Sequence, residues 1–244
     1  MTRRLTTLFL ALNAFGVLLR VCGDEASKRP VEVVQTERVS FAPGGMIHVL
    51  HSFGSLNVEG WDRPEVEVTV VKSRERYYVP DEHEQAARGL DRIRIVAERH
   101  SDDELTISTI FPHKRFPYLW GGKGGVTVEY QVHVPRNSKL TIHHGTGCVL
   151  VRNVTGDVEA TSGGGDIVLL LPDSGTYSID ARSKLGTVYS DLVGDSHRRY
   201  LVGVGFVSTT PPSSHRIYLR TRMGGIAIKA VPAEAGAPVG ARKR

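Results

Sequence analysis

A short unit recurs through the second half of this chain: a glycine, a small or polar residue, then apolar, any, apolar. It stands at Gly147-Cys148-Val149-Leu150-Val151, Gly156-Asp157-Val158-Glu159-Ala160, Gly165-Asp166-Ile167-Val168-Leu169, Gly175-Thr176-Tyr177-Ser178-Ile179 and Gly186-Thr187-Val188-Tyr189-Ser190. A late copy begins at Gly224 and an early one at Gly54. From Gly147 the starts fall nine, nine, ten and eleven residues apart. A strand of about five residues spans roughly 17 Å and leaves about four residues to turn. Glycine turns at positive φ without a Cβ clash. One unit has too little apolar surface to fold alone, so neighbours must stack. The repeat predicts an all-β domain: a glycine-punctuated β-solenoid, an irregular β-helix with two or three units per coil.

The region before the repeat reads as sandwich-like strands with one short helix. Val66, Val68 and Val70 alternate with Glu65, Glu67 and Thr69, the period of a half-buried strand. Val126, Val128, Tyr130, Val132 and Val134 alternate in the same way until Pro135 ends the strand. Between them, Pro80-Asp81 with Glu84 reads as a helix start, and Ala86, Leu90 and Ile93 fall on one face.

The first 23 residues read as a secretory signal peptide. Arg3 and Arg4 precede a mostly apolar run, Leu5 to Leu19, which Arg20 closes. A spanning helix wants about 20 apolar residues, and this run is shorter. Val21 and Gly23 fit the small-residue rule for cleavage before Asp24. The rival is Leu19-Arg20-Val21-Cys22, similar to a degraded lipoprotein box, with Cys22 as a lipid anchor. The mature chain is then a single β-repeat domain over 24–230 and a disordered tail over 231–244. Localisation is expected to be periplasmic, envelope or extracellular. Either route leaves Cys148 without a disulfide partner.

Removing three arginines and no acid with residues 1–23 lowers the formal net charge from +5 to +2. That is no nucleic-acid footprint. Two cysteines among 244 residues exclude a disulfide scaffold.

The signal, the Gly54 to Asp62 segment, the short helix before Ile93 and the Val126 to Pro135 strand run in order into the glycine repeats. In that order the chain resembles the bacterial putative-adhesin family of unknown function with glycine-rich β-strand repeats, over roughly residues 40–230. The resemblance implies adhesion as a role and supplies no catalytic residues.

Motifs that carry chemistry elsewhere read blandly here. Gly194-Asp195-Ser196-His197 is similar to a hydrolase nucleophile block, but Arg198 to Leu201 continues it as a strand, whereas such a serine needs a strand-to-helix turn. Asp157 and Asp166 share a register position, yet Cys148, Thr176 and Thr187 take the equivalent places, too few oxygens for calcium. His143 and His144 are adjacent on a strand and point to opposite faces, and His48 and His51 offer no zinc spacing. Gly121 to Gly125 reads as a flexible loop, since Val126 follows where a phosphate-loop helix would have to open. No metal and no cofactor is expected.

One segment stands out. Phe111 to Trp120 packs four aromatics with His113, Lys114 and Arg115 between two strands. Lys114, Arg115, Phe116, Tyr118 and Trp120 form the candidate partner-binding loop. The competing reading makes Phe111, Phe116 and Leu119 a cap over the open end of the solenoid. The expected function is an exported, non-enzymatic binding or scaffolding module of the cell envelope, an adhesin by resemblance, with an envelope protein or a glycan as partner. The alternative is a polysaccharide-cleaving enzyme on a β-helix, which needs carboxylates converging in one groove.

Overall fold

The computed structural model describes residues 29–78, 80–110, 125–172, 176–198, 203–209 and 215–232. The 1–23 leader, with Cys22, and residues 233–244 of the tail lie outside them. Strands β1 (Arg29–Ser40), β2 (Met46–Phe53), β3 (Ser55–Trp61) and β4 (Glu65–Tyr78) precede the helix α1 (Pro80–Asp91). After it come β5 (Arg94–Ser101), β6 (Glu104–Ile110), β7 (Val126–Pro135), β8 (Lys139–Thr146), β9 (Val149–Arg152) and β10 (Val158–Gly164). Then follow β11 (Ile167–Pro172), β12 (Tyr177–Leu185), β13 (Val188–Ser190), β14 (Asp195–Arg198), β15 (Val204–Thr209), β16 (His215–Met223) and β17 (Ile226–Val231).

Among the described residues the protein is all-β with one helix, and its strands form two mixed sheets. The first runs β1-β4-β7-β3-β9-β11-β17-β13 and the second β14-β15-β12-β16-β10-β8-β2-β6-β5. Period-two alternation decides which side faces in: Val66, Val68 and Val70 on β4, and Val128, Tyr130, Val132 and Val134 on β7, are all buried. Inward side chains of both sheets, among them Ile47, Leu56, Ile142, Ile167, Ile217 and Ile228, join one apolar core. At the N-terminal end β1, β4 and β7 pair antiparallel, as do β5 and β6. Helix α1 buries Ala86 and Leu90 against Val31, while Ile93 enters the main core. Lys72 continues the inward row of β4 after Val70 and closes it by donating from Nζ to the Ile93 carbonyl at 2.9 Å.

The repeat is an arch. In each, a strand of the second sheet reaches a turn glycine and crosses to a strand of the first: β2–Gly54–β3, β8–Gly147–β9, β10–Gly165–β11, β12–Gly186–β13 and β16–Gly224–β17. The arches stack by parallel pairing in register. Glycine N–H groups carry the ladder through the turns: Gly54 donates to the Thr146 carbonyl, Gly147 to Gly164 and Gly224 to Leu185, each at 2.9 Å. At Gly147 the residue type is forced. Its φ is +130°, and an added Cβ would collide with the Gly54 carbonyl oxygen.

The repeat's inward register agrees with the sequence: Val149, Val151, Val158, Ile167, Leu169 and Tyr177 are buried, and Val188 packs half-buried against the core. The order does not follow the chain. Consecutive repeat units alternate between sheets, and the last arch, β16–β17, inserts between β10–β11 and β12–β13.

Candidate functional site

The turn glycines give each arch a common origin. In spatial order, the third residue before the glycine is His51, His144, Ser162, Thr221 and Ser183, and all five are buried. They lie just below the turn, where buried hydroxyls need hydrogen-bond partners and turn carbonyls supply them. Ser162 Oγ donates to Gly164 O at 3.0 Å, and Ser183 Oγ to Gly224 O at 2.7 Å. Thr221 Oγ1 lies 3.3 Å from both Gly165 O and Met223 O. His51 and His144 instead meet each other through Nδ1.

Outward from this polar seam the same strands carry polar and basic side chains. The fourth residue before the glycine is His143 on β8, Thr161 on β10, Arg220 on β16 and Arg182 on β12. These neighbours are paired across the sheet, Thr161 with both His143 and Arg220, and Arg220 with Arg182. The second residue before the glycine is Gly145, Gly163, Arg222 and Lys184 in the same order. Beside β12 lies a trough of about 370 Å³ lined by Arg182, Lys184, His197, Gly203, Gly205 and Arg220. Across β16 a shallower recess of about 540 Å³ lies against His143, Gly145, Thr161, Gly163 and Arg222.

Two of these cations are fixed in place. Arg182 makes a two-pronged contact with Asp180 at 3.1 Å, and Arg220 donates to Asp180 Oδ2 at 2.6 Å and to the Asp180 carbonyl at 2.8 Å. Arg220 also lies over the Tyr218 ring, 3.8 Å from its centre. Burial works to raise the Asp180 pKa, but the hydrogen bonds and charges of Arg220 and Arg182 prevail and lower it. Lys184 and Arg222 are exposed and have no ion-pair partner among the described residues.

The outer face of the first sheet is self-compensated by contrast. Arg38, Glu67, His133, Glu59 and Arg152 stand opposite one another on β1, β4, β7, β3 and β9, each beside an opposite or titratable partner. Trp61 there is stacked on His133, with Arg63 4.9 Å from its ring centre.

The candidate loop residues Lys114, Arg115, Phe116, Tyr118 and Trp120 lie outside the described residues, as does 121–124. Ser196 lies on exposed strand β14, paired with Phe206 on β15, and not on a strand-to-helix elbow. Asp157 and Asp166 serve the ladder: each Oδ1 accepts a backbone N–H, from Arg216 at 2.8 Å and Gly225 at 2.7 Å. Among the described residues no cluster of three His, Cys, Asp or Glu could hold a metal, and no helix is long and apolar enough to cross a membrane. The basic strip itself was missed in the sequence, where Arg182, Lys184, Arg220 and Arg222 sit in two segments 38 residues apart. The available signal was alignment on the turn glycine: each arginine or lysine lies two or four residues before Gly186 or Gly224.

No family model matches the chain, and no curated protein matches it. Among solved structures, a "putative cell adhesion protein" from Clostridium sporogenes is similar at a TM-score of 0.51 and 14% identity, over 83% of this chain and 100% of that one. A "putative adhesin" from Bacteroides fragilis aligns over 84% of this chain and 98% of its own, at 10% identity and a TM-score of 0.24. The Clostridium protein shares the fold; at that identity the likeness carries nothing about the site.

Proposed function

We propose that this chain is an exported, non-enzymatic binding or scaffolding module of the cell envelope, an irregular solenoid of stacked arches whose binding surface is the outer face of the second sheet near the glycine corner. The observation that carries this reading is the pair Lys184 and Arg222: exposed cations with no acid partner among the described residues, beside a trough at the end of the paired strands β12 and β16. Export rests on the 1–23 leader. An adhesive role is in keeping with the fold shared with the Clostridium cell adhesion protein. Cleavage of a polysaccharide needs two carboxylates free to act as acid and base or nucleophile. The acid beside the trough, Asp180, is engaged by two arginines, which favours binding over hydrolysis.

The test uses mature chain and purified envelopes of the producing cell. Lys184→Glu with Arg222→Glu should abolish co-sedimentation and leave the melting temperature unchanged. Equal sedimentation of variant and parent overturns the surface assignment. The aromatic loop is a separate contact in this proposal: Tyr118→Ala with Trp120→Ala should reduce envelope binding without lowering the melting temperature, and a marked drop in melting temperature makes the loop a cap instead.

A further inference from the structure

Resting on that surface, we infer that the basic strip of the second sheet takes the carboxylate or sulfate groups of a linear acidic polysaccharide lying across the strands. The strip has direction. From β12 through β16 and β10 to β8 it presents Arg182, Arg220, Thr161 and His143 in one row. Adjacent strands are about 4.8 Å apart, so the four positions span roughly 14 Å. That suits an extended chain of a few sugar units with an anionic group on each or every second unit.

The row toward the corner alternates bulk in the same sense. Lys184 and Arg222 project beside the first two positions, while Gly163 and Gly145 leave the next two open. A polymer therefore meets four cationic groups at one end. At the other it meets a channel with hydroxyl and imidazole groups on its edge, where His143 Nδ1 and Thr161 Oγ1 are 2.8 Å apart. Thr161 Oγ1 also reaches the Ile142 carbonyl at 3.3 Å. As donor to that carbonyl it accepts from His143 Nδ1–H, which leaves His143 Nε2 outward to accept a sugar hydroxyl.

Two of the four cations are held by the protein's own groups, and Lys184 and Arg222 have no ion-pair partner among the described residues. Asp180 and the Tyr218 ring hold Arg220, and Asp180 holds Arg182, so little side-chain freedom is lost on binding. One row further from the corner the sign reverses: Asp180 on β12 and Glu159 on β10 flank Tyr218 of β16, and Asp195 on β14 lies in the same row across Val207. An anionic chain is thereby confined to the corner side of the sheet. The trough is a recess beside the strip, lined in part by Gly203 and Gly205. A flat anionic bilayer would meet the rim first, and this favours a polymer over lipid headgroups.

The probes are a heparin-derived hexasaccharide, an oligogalacturonate of the same length and the free monosaccharides, titrated against mature chain by calorimetry. At least one hexamer should bind, its monosaccharide at least about tenfold more weakly, as expected when contacts are linked along one chain. Lys184→Glu with Arg222→Glu should weaken hexamer binding at least about tenfold by placing repulsion where attraction stood. Lys184→Gln with Arg222→Gln should give a smaller loss in the same direction. His143→Ala with Thr161→Val should weaken binding of the hexamer and leave that of the monosaccharides unchanged. Equal affinity of parent and charge-reversed variant for the hexamers overturns the inference, as does tighter binding to phosphatidylglycerol vesicles than to either hexamer. If no hexamer binds while charge reversal still abolishes envelope sedimentation, the ligand class falls and the surface stands. If neither changes, both fall.

Discussion

His51 and His144 face each other Nδ1 to Nδ1 at 2.8 Å inside the glycine corner, although 93 residues separate them in the chain. Their rings are 20° from parallel with centres 4.8 Å apart, so the contact runs nearly edge to edge. One ring must donate and the other accept, so the accepting Nδ1 carries no proton, and when both rings are neutral they are of opposite tautomer. The edge of the aromatic contact between His51 and Tyr130, with centres 3.9 Å apart, closes the other side. Burial and then the charge of His144 push the His51 pKa down to about 3. Burial lowers the His144 pKa as well, against an opposing pull from the backbone of Gly147 and Thr146.

This pair should make the fold acid-sensitive. The folded-state pKa of His51 is below its ordinary value of 6.5, so between about 3 and 6.5 the unfolded chain binds more protons. The stabilisation is complete above pH 6.5 and is lost as the pH falls toward 3. From His51 alone, the loss between pH 7 and pH 4 should be roughly 3 kcal/mol. Urea midpoints measured across that range check this, and His51→Gln should flatten the profile. A His51→Gln profile as steep as the parent's counts against the pair as its source.

The glycine ladder yields a contrast between neighbours. At Gly165 φ is +96° and an added Cβ would collide with the Gly147 carbonyl oxygen, whereas at Gly164 the nearest atom to an added Cβ is 3.6 Å away. Gly165→Ala should therefore cost about 1–3 kcal/mol, from left-handed strain as well as the clash. Gly164→Ala should change stability by less than about 1 kcal/mol. Chemical denaturation of the two variants decides it, and equal losses remove the ladder from the account.

Much of the local structure was legible in the sequence, because each signal there is local. Val66, Val68 and Val70 announce their strand by alternation, Ala86 and Leu90 their helix by spacing, and Gly147 and Gly165 their turns by type. Pairing was less legible, because parallel partners are chosen by arches distant in the chain. Nothing near His51 says that its neighbour is His144, and nothing near Ile226 says that it lies between Ile167 and Val188. The polar seam escaped for another reason. His, Ser and Thr look unrelated until they are aligned three residues before their glycines, where all are buried inside the corner, the hydroxyls bonding turn carbonyls and the two imidazoles bonding each other.

Cys148 should be an inert thiol. It is exposed at the corner, and burial of its environment together with the nearby Asp166 charge raises its pKa. A raised pKa leaves little thiolate at neutral pH. Iodoacetamide at pH 7 should react with it more slowly than with an unstructured cysteine peptide. Cys148→Ser should leave the melting temperature and envelope binding unchanged. Fast alkylation, or loss of binding in the variant, contradicts this.

In the core, Ile167 is 1% exposed and sits on β11, the middle one of the five arch strands β3, β9, β11, β17 and β13. Ile167→Ala should cost roughly 2–4 kcal/mol through the cavity it leaves. Val193→Ala, at a residue 93% exposed, should change stability by less than about half a kcal/mol. Similar denaturation midpoints for the two would contradict the register.

Because the last arch fills a central place, the C-terminus should decide folding. Strand β16 hydrogen-bonds both β10 and β12, and β17 both β11 and β13. A chain ending at residue 214 loses Ile217, Leu219, Ile226 and Ile228 from the core and opens the inner edges of four strands at once. Full burial of one such side chain contributes about 1.5–3 kcal/mol, so four of them rival the whole net stability of a domain, about 5–15 kcal/mol. The truncated chain should show no cooperative melting and should aggregate through the exposed edges. A chain ending at residue 232 keeps both strands, and its melting temperature should stay within a few degrees of the parent. Circular dichroism melts of the two truncations, run beside the full chain, separate the cases. A cooperative transition in the 214-residue form would mean that β10–β11 and β12–β13 close on each other without the inserted arch, and the insertion would then be an ornament of the fold rather than its keystone.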